Sequence, residues 1–136
     1  MMQALTIDRV GAQGDGVAQG ERGPVFVPFT LPGERVNCAV KGSEGTAMSV
    51  LEPSPDRIAP VCRHFELCGG CTSQHWASAP YLAWKRDLVI DALASKGIES
   101  KILPIIASQP GERRRVTLAA RNVHGKIMIG FNAARS

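Results

Sequence analysis

Between Ala4 and Pro53 the chain is cut into short β-branched and aromatic runs by glycine and proline, and this punctuation limits the architectures open to it. The runs are ALTIDRV, GVAQG, PVFVPF, ERVNCAV and TAMSVLEP. The breaks fall at Gly11, Gly14 and Gly16, at Gly20, Gly23 and Pro24, at Pro32 and Gly33, and at Gly42 and Gly45. Their spacing predicts five strands in a small antiparallel barrel or sandwich. Leu5, Ile7 and Val10 nearly alternate with polar residues, as a strand with one face on a core requires. Cys38 lies within such a run and is expected to be a small buried apolar side chain.

The stretch PSPDRIAP carries three prolines, which remove backbone donors and hold their neighbours extended. It predicts a boundary: a β-barrel over residues 1–53, a proline-rich linker over 54–61 and an α+β region over 62–136. In the second region SAPYLAWKRDLVIDALASKG reads as one helix from Ser78 to Gly97. Ser78 is its expected N-cap, Pro80 sits in the first turn and Gly97 is the stop. Leu82, Trp84, Val89 and Leu93 are candidates for the core-facing side, and Lys85, Arg86, Asp87 and Asp91 for the solvent side. ILPIIAS reads as a short strand, QPGE as a turn, and RRRVTLAARNVHGKIMIGFN as two strands joined at His124-Gly125. The sequence stops at FNAARS, straight after a strand, which is the pattern expected of a piece of a longer chain.

No apolar run approaches the ~18 residues of a membrane-spanning helix, and the first residues lack the basic-then-apolar order of a secretory signal. A cytoplasmic, thiol-reducing setting is therefore expected, in which clustered cysteines suit metal better than disulfides. Cys62, Cys68 and Cys71 lie in VCRHFELCGGCTSQHW with the spacing C-x5-C-x2-C, and Gly69-Gly70 permit a tight loop with amides near sulfur. Soft sulfur donors fit zinc or an iron–sulfur cluster. Zinc would be completed by His75 in a Cys3His set; a cubane cluster would need a fourth cysteine, for which Cys38 is poorly placed. GDGVAQG lacks the last glycine of a dinucleotide fingerprint and leads into no helix.

Charge divides the chain. Residues 1–60 hold five Lys/Arg against seven Asp/Glu, and residues 61–136 hold eleven against five, so any polyanion is gripped mainly by the second part. Arg113, Arg114 and Arg115, with Arg121 further on, are the best candidates, since guanidinium groups bond phosphate and stack on bases. Arg113 and Arg115 are expected on one face of a strand and Arg114 on the other. His124 and Lys126 are weaker candidates, and Phe29 and Phe131 are expected in cores rather than on bases.

Taken together, these motifs resemble a known family. The run from Ala4 to Pro53 resembles a TRAM domain, an OB-like RNA-binding barrel, and CRHFELCGGCTSQH with the preceding SPDRIAP resembles the iron–sulfur segment of RumA-type RNA (uracil-C5)-methyltransferases. GDGVA, VFVPFTLPGERV, LAWKRDLVIDAL, RRRVTLAARN and IGFN follow in that family's order. The resemblance implies that Cys62, Cys68 and Cys71 are three ligands of a 4Fe-4S cluster whose fourth ligand lies beyond residue 136. It also implies an absent catalytic domain that binds S-adenosylmethionine and supplies the nucleophilic cysteine, with ribosomal RNA as the favoured substrate. On this view the present chain holds no catalytic residue and is inactive alone. The competing expectation is a stand-alone RNA-binding module with a structural zinc site.

Overall fold

The computed structural model describes residues 1–135, and the five expected strands are all present. They are β1 (Met2–Val10), β2 (Gly16–Gly20), β3 (Gly23–Val27), β4 (Arg35–Lys41) and β5 (Glu44–Glu52). They form a closed barrel in the order β1-β2-β3-β5-β4. β1 pairs with both β2 and β4, through Ile7↔Ala18 and Leu5↔Val36, and slips register between Ile7 and Arg9. All pairs are antiparallel except β3 with β5, which meet in parallel at Phe26↔Glu44 and close the ring. Closure removes the open edges that short strands would otherwise present.

Alternation sends Leu5, Ile7, Ala18, Val25, Val27, Val36 and Cys38 inward as one buried cluster. Cys38 is fully buried, as expected, and burial pushes its thiol pKa up against a weaker opposing contact with the Thr46 main chain. The interior is full at this point: a Cβ on Gly45 would stand 2.7 Å from Cys38 Sγ and 2.8 Å from Val27 Cγ2, so β5 can pass only as glycine.

The proline-rich stretch is bonded to residues 75–77 rather than hanging free. Ile58 N–H donates to His75 O at 2.9 Å, Ala77 N–H to Asp56 O at 2.8 Å, and Arg57 bridges to Trp76. Trp76 joins Val10 and Leu31 in a second buried cluster at one end of the barrel, and Tyr81 and Trp84 pack against it. Helix α1 (Ser78–Ala94) docks there by its first turns, with Trp84 Nε1 donating to Val10 O at 3.3 Å. Ala77, not Ser78, holds the N-cap position and offers no side-chain cap; Ser78 is already helical. Gly97 does take the left-handed conformation after the helix, at φ 68°.

Two strand assignments need correction. ILPIIAS is irregular, and the hairpin is shorter than its sequence suggests: β6 spans Ala119–Val123 and β7 Lys126–Gly130. The turn is where it was expected, with His124 and Gly125 at φ 51° and 79°, the mirror-image geometry that a two-residue hairpin needs. Between Ala77 and Arg135 no described residue is buried, and the apolar Ile127, Ile129 and Phe131 are all more than half exposed. A two-stranded hairpin with no partner layer has no core to pack on, so apolar strand propensity at 102–108 and 113–118 has nothing to pair with.

Candidate metal and nucleic-acid site

The site is built on a buried ion pair that sequence inspection passed over. Pro32 and Gly33, the latter at φ 80°, turn the chain so that Glu34 N–H donates to Leu31 O at 3.2 Å. This directs the Glu34 carboxylate inward, where it is wholly buried. It receives Arg57 Nε at 2.5 Å and Nη2 at 2.7 Å, Leu31 N–H at 2.9 Å and Ser54 N–H at 3.2 Å. The same Nη2 donates to Phe29 O at 2.8 Å. Burial alone raises a carboxyl pKa, but the Arg57 guanidinium and the two amides outweigh it, and Glu34 is held below the usual carboxylate range. Arg57, read from sequence as a linker residue, thus joins the stretch before the cysteines to the barrel.

Phe29, at φ 59°, is turned against the ring of Phe65 in the cysteine loop, with centroids 5.2 Å apart. His75 completes the cluster, 5.4 Å from Phe65 and 6.4 Å from Phe29. It is 2% exposed, and among the described residues neither ring nitrogen has a hydrogen-bond partner. Burial, and next the charge of Arg57, push its pKa down to about 4. His75 is therefore a neutral packing residue here, and the Cys3His set is not assembled.

The cysteine loop is compact. Cys62 N–H donates to Gln74 Oε1 at 3.1 Å, Cys68 N–H to His64 O at 2.9 Å, and Gly70 N–H to Cys68 Sγ at 3.4 Å. The last contact is of the kind that stabilises a thiolate ligand. Cys62 and Cys68 are partly buried, Cys71 is exposed, and all three are free thiols. As a donor set they fit a thiophilic metal, and the amide on Cys68 sulfur fits it too. Among the described residues, no group of three or more His, Cys, Asp or Glu is gathered closely enough to be a finished cage.

Opposite the loop runs the segment after β7. Gly69 N–H donates to Asn132 O and Ala134 N–H to Leu67 O, both at 2.9 Å, so Cys68 and Ala133 form an antiparallel bridge. Arg135 ends the segment in an ion pair with Asp15 Oδ2 of the β1–β2 loop at 2.7 Å. The sequence carried no signal for this pairing.

The arginines are placed differently from expectation. Arg113, Arg114 and Arg115 are exposed but precede β6, so no strand sends them to alternate faces; Arg113 Nε instead donates to Arg115 O at 3.0 Å. Arg121 lies on β6 opposite Met128, and this face also carries Lys126, whereas Ile127 and Ile129 share the other. Arg86 is engaged structurally, donating to Ile102 O at 2.8 Å, and Lys85 Nζ lies 5.0 Å from the ring centre of Trp84.

No protein-family model matches the chain. It is 51% identical, over 97% of its length, to an uncharacterized RNA methyltransferase of Rhizobium meliloti, and 50% identical over 99% to one of Caulobacter vibrioides. It is also 36% identical, over 98% of its length, to the 23S rRNA (uracil(1939)-C(5))-methyltransferase RlmD of Dichelobacter nodosus. The chain spans about a third of each of these relatives, 33% in all three cases.

Proposed function

We propose that this chain, related over nearly its whole length to proteins named as RNA methyltransferases, is the N-terminal RNA-gripping and metal-holding part of an RNA (uracil-C5)-methyltransferase acting on 23S rRNA. The observation that carries the proposal is similarity to a 23S rRNA uracil-C5 methyltransferase over 98% of this chain but only 33% of that protein. Such a relation supports reading the chain as contributing a share of the larger protein's work.

The chemistry of uracil methylation defines what that share is. Carbon C5 becomes nucleophilic only after a thiolate adds at C6, and the base must first leave its stack. Cys38 is sealed in the barrel with a raised pKa, so it is a poor nucleophile. The other three cysteines share the loop assigned to metal. Nucleophile, proton acceptor and the S-adenosylmethionine that supplies the methyl group therefore belong to the remaining two thirds.

What this chain's residues do is hold RNA and present it. Arg113 to Arg115 and Arg121 meet phosphates, and the barrel, fixed through Glu34 to Arg57 just before the cysteine loop and through Phe29 to Phe65 within it, sets the direction of approach. The apolar face of β6–β7 is covered by further chain, which completes the partial α+β domain over 62–136.

Cys62, Cys68 and Cys71 hold a 4Fe-4S cluster whose fourth ligand comes from beyond residue 136. A cluster so held supplies a rigid cross-link, or redox sensitivity, rather than methyl transfer. Protein extended to the length of its relatives and purified without oxygen is expected to be brown, with a broad visible band and about four irons and four sulfides per chain. A colourless protein carrying one zinc contradicts the cluster and favours the zinc-stabilised binding module.

A further inference from the structure

The loop holding Cys68 is clamped along one side, and the clamp is odd in its backbone. Leu67 O and Gly69 N–H, the groups on either side of Cys68, are both bonded to the segment Asn132–Ala134. Two non-glycine residues in left-handed conformations flank the bridge, Glu66 at φ 73° and Arg135 at φ 60°. Strained residues persist only where their surroundings over-determine them, and they gather at ligand clamps and switches. The segment is mostly exposed, and it is tied to the cysteine loop by the two bridge hydrogen bonds and to the β1–β2 loop by the Asp15–Arg135 ion pair.

We infer that Phe131–Arg135 is a positioning strap for the metal seat, ordered together with it: metal on the cysteines fixes the strap, and the strap fixes Cys68. The inference rests on the proposal that Cys62, Cys68 and Cys71 bind metal. With the groups before and after Cys68 both bonded to the strap, its sulfur accepts from Gly70 N–H at 3.4 Å, so the position of one ligand is set before metal arrives. The coupling is reciprocal, as linkage requires: whatever holds the strap raises metal affinity, and metal holds the strap.

Two glycines provide the test. A Cβ on Gly69 would stand 3.0 Å from Ala133 O and 3.1 Å from Asn132 O, both main-chain atoms of the strap, so Gly69→Ala obliges the bridge to give by a few tenths of an ångström. A Cβ on Gly130, in β7, meets nothing within 4 Å. Neither glycine has the left-handed backbone that alanine resists, and both lie outside the barrel core.

Co2+ is titrated without oxygen into wild type, Gly69→Ala and Gly130→Ala proteins, reading sulfur-to-cobalt charge-transfer absorption. Gly69→Ala is expected to weaken Co2+ by roughly 10–100-fold, the usual effect of losing an outer-shell support, while Gly130→Ala stays close to wild type. In the wild type, hydrogen exchange at the Gly69 and Ala134 amides is expected to slow when Co2+ binds. Equal Co2+ affinity in Gly69→Ala and wild type, or amide exchange indifferent to Co2+, overturns the strap while leaving the cysteine site standing. A wild-type protein that gives no sulfur-to-cobalt band overturns the site and the strap with it.

Discussion

Arg57→Ala is expected to lower the free energy of unfolding by about 3–5 kcal/mol, the range for removing one partner of a buried ion pair. Glu34 is 0% exposed, and without Arg57 its carboxylate keeps only the Leu31 and Ser54 amides against the full cost of burial. Phe29 O loses its donor as well. The attraction inside the pair is not itself the source of the number; the stranded charge is. Replacing both partners by apolar residues, Glu34→Leu with Arg57→Met, should recover much of the loss. Urea denaturation measures both, and a single-variant loss below about 1 kcal/mol would mean that water reaches Glu34.

The same junction makes the fold acid-sensitive. Glu34 has a depressed pKa in the folded state, so its contribution is complete above the ordinary carboxylate range and disappears as pH falls through the folded value. His75 acts in the same direction. The unfolded chain takes up a proton on it near pH 6.5 and the folded chain only near 4, so stability declines as pH drops between those values. A displacement of that size is worth about 3 kcal/mol. His75→Phe keeps an aromatic packing partner and should flatten the loss of stability between pH 6.5 and 4; an unchanged slope there would show that His75 is protonated in the folded protein.

Charge reversal at Arg113, Arg114 and Arg115 should produce the largest change in RNA binding. Each phosphate contact on a single strand adds about 0.7 to the slope of log affinity against log salt, so three lost contacts flatten it by about 2 and cost on the order of a hundredfold at 0.1 M salt. The weakening should be uniform across RNA sequences, because phosphate contacts carry no base information. Affinity measured from low to high salt with unstructured RNA reads both effects. A slope equal to that of the wild type would remove these arginines from the interface.

The barrel was legible because every signal for it is local. Alternating apolar residues, glycine breaks and the His124-Gly125 turn each act over a few residues, and the strands of residues 1–53 find their partners within that segment. The spacing of Cys62, Cys68 and Cys71 is equally local, but the metal expected on them remains a proposal. What could not be seen were contacts between distant positions: Glu34 with Arg57, Phe29 with Phe65 and His75, Cys68 beside Ala133, and Asp15 with Arg135. Arg57 was concealed by its prolines, which mark a boundary in sequence even where the segment is bound down in space. The strand assignments at 102–108 and 113–118 failed differently. Apart from half-buried Ile102 their apolar residues are exposed, and strand propensity has no expression without a neighbouring strand or layer.

Methyl transfer by the protein at the full length of its relatives is the most direct test of the role assigned to this chain. Incubated with S-adenosylmethionine and unmodified 23S rRNA, it should yield 5-methyluridine at a single position, read by nucleoside mass spectrometry and primer extension, with none formed by residues 1–136 alone. Methylation of another base or atom, or transfer to uridine undiminished when residues 1–136 are deleted, would contradict the account.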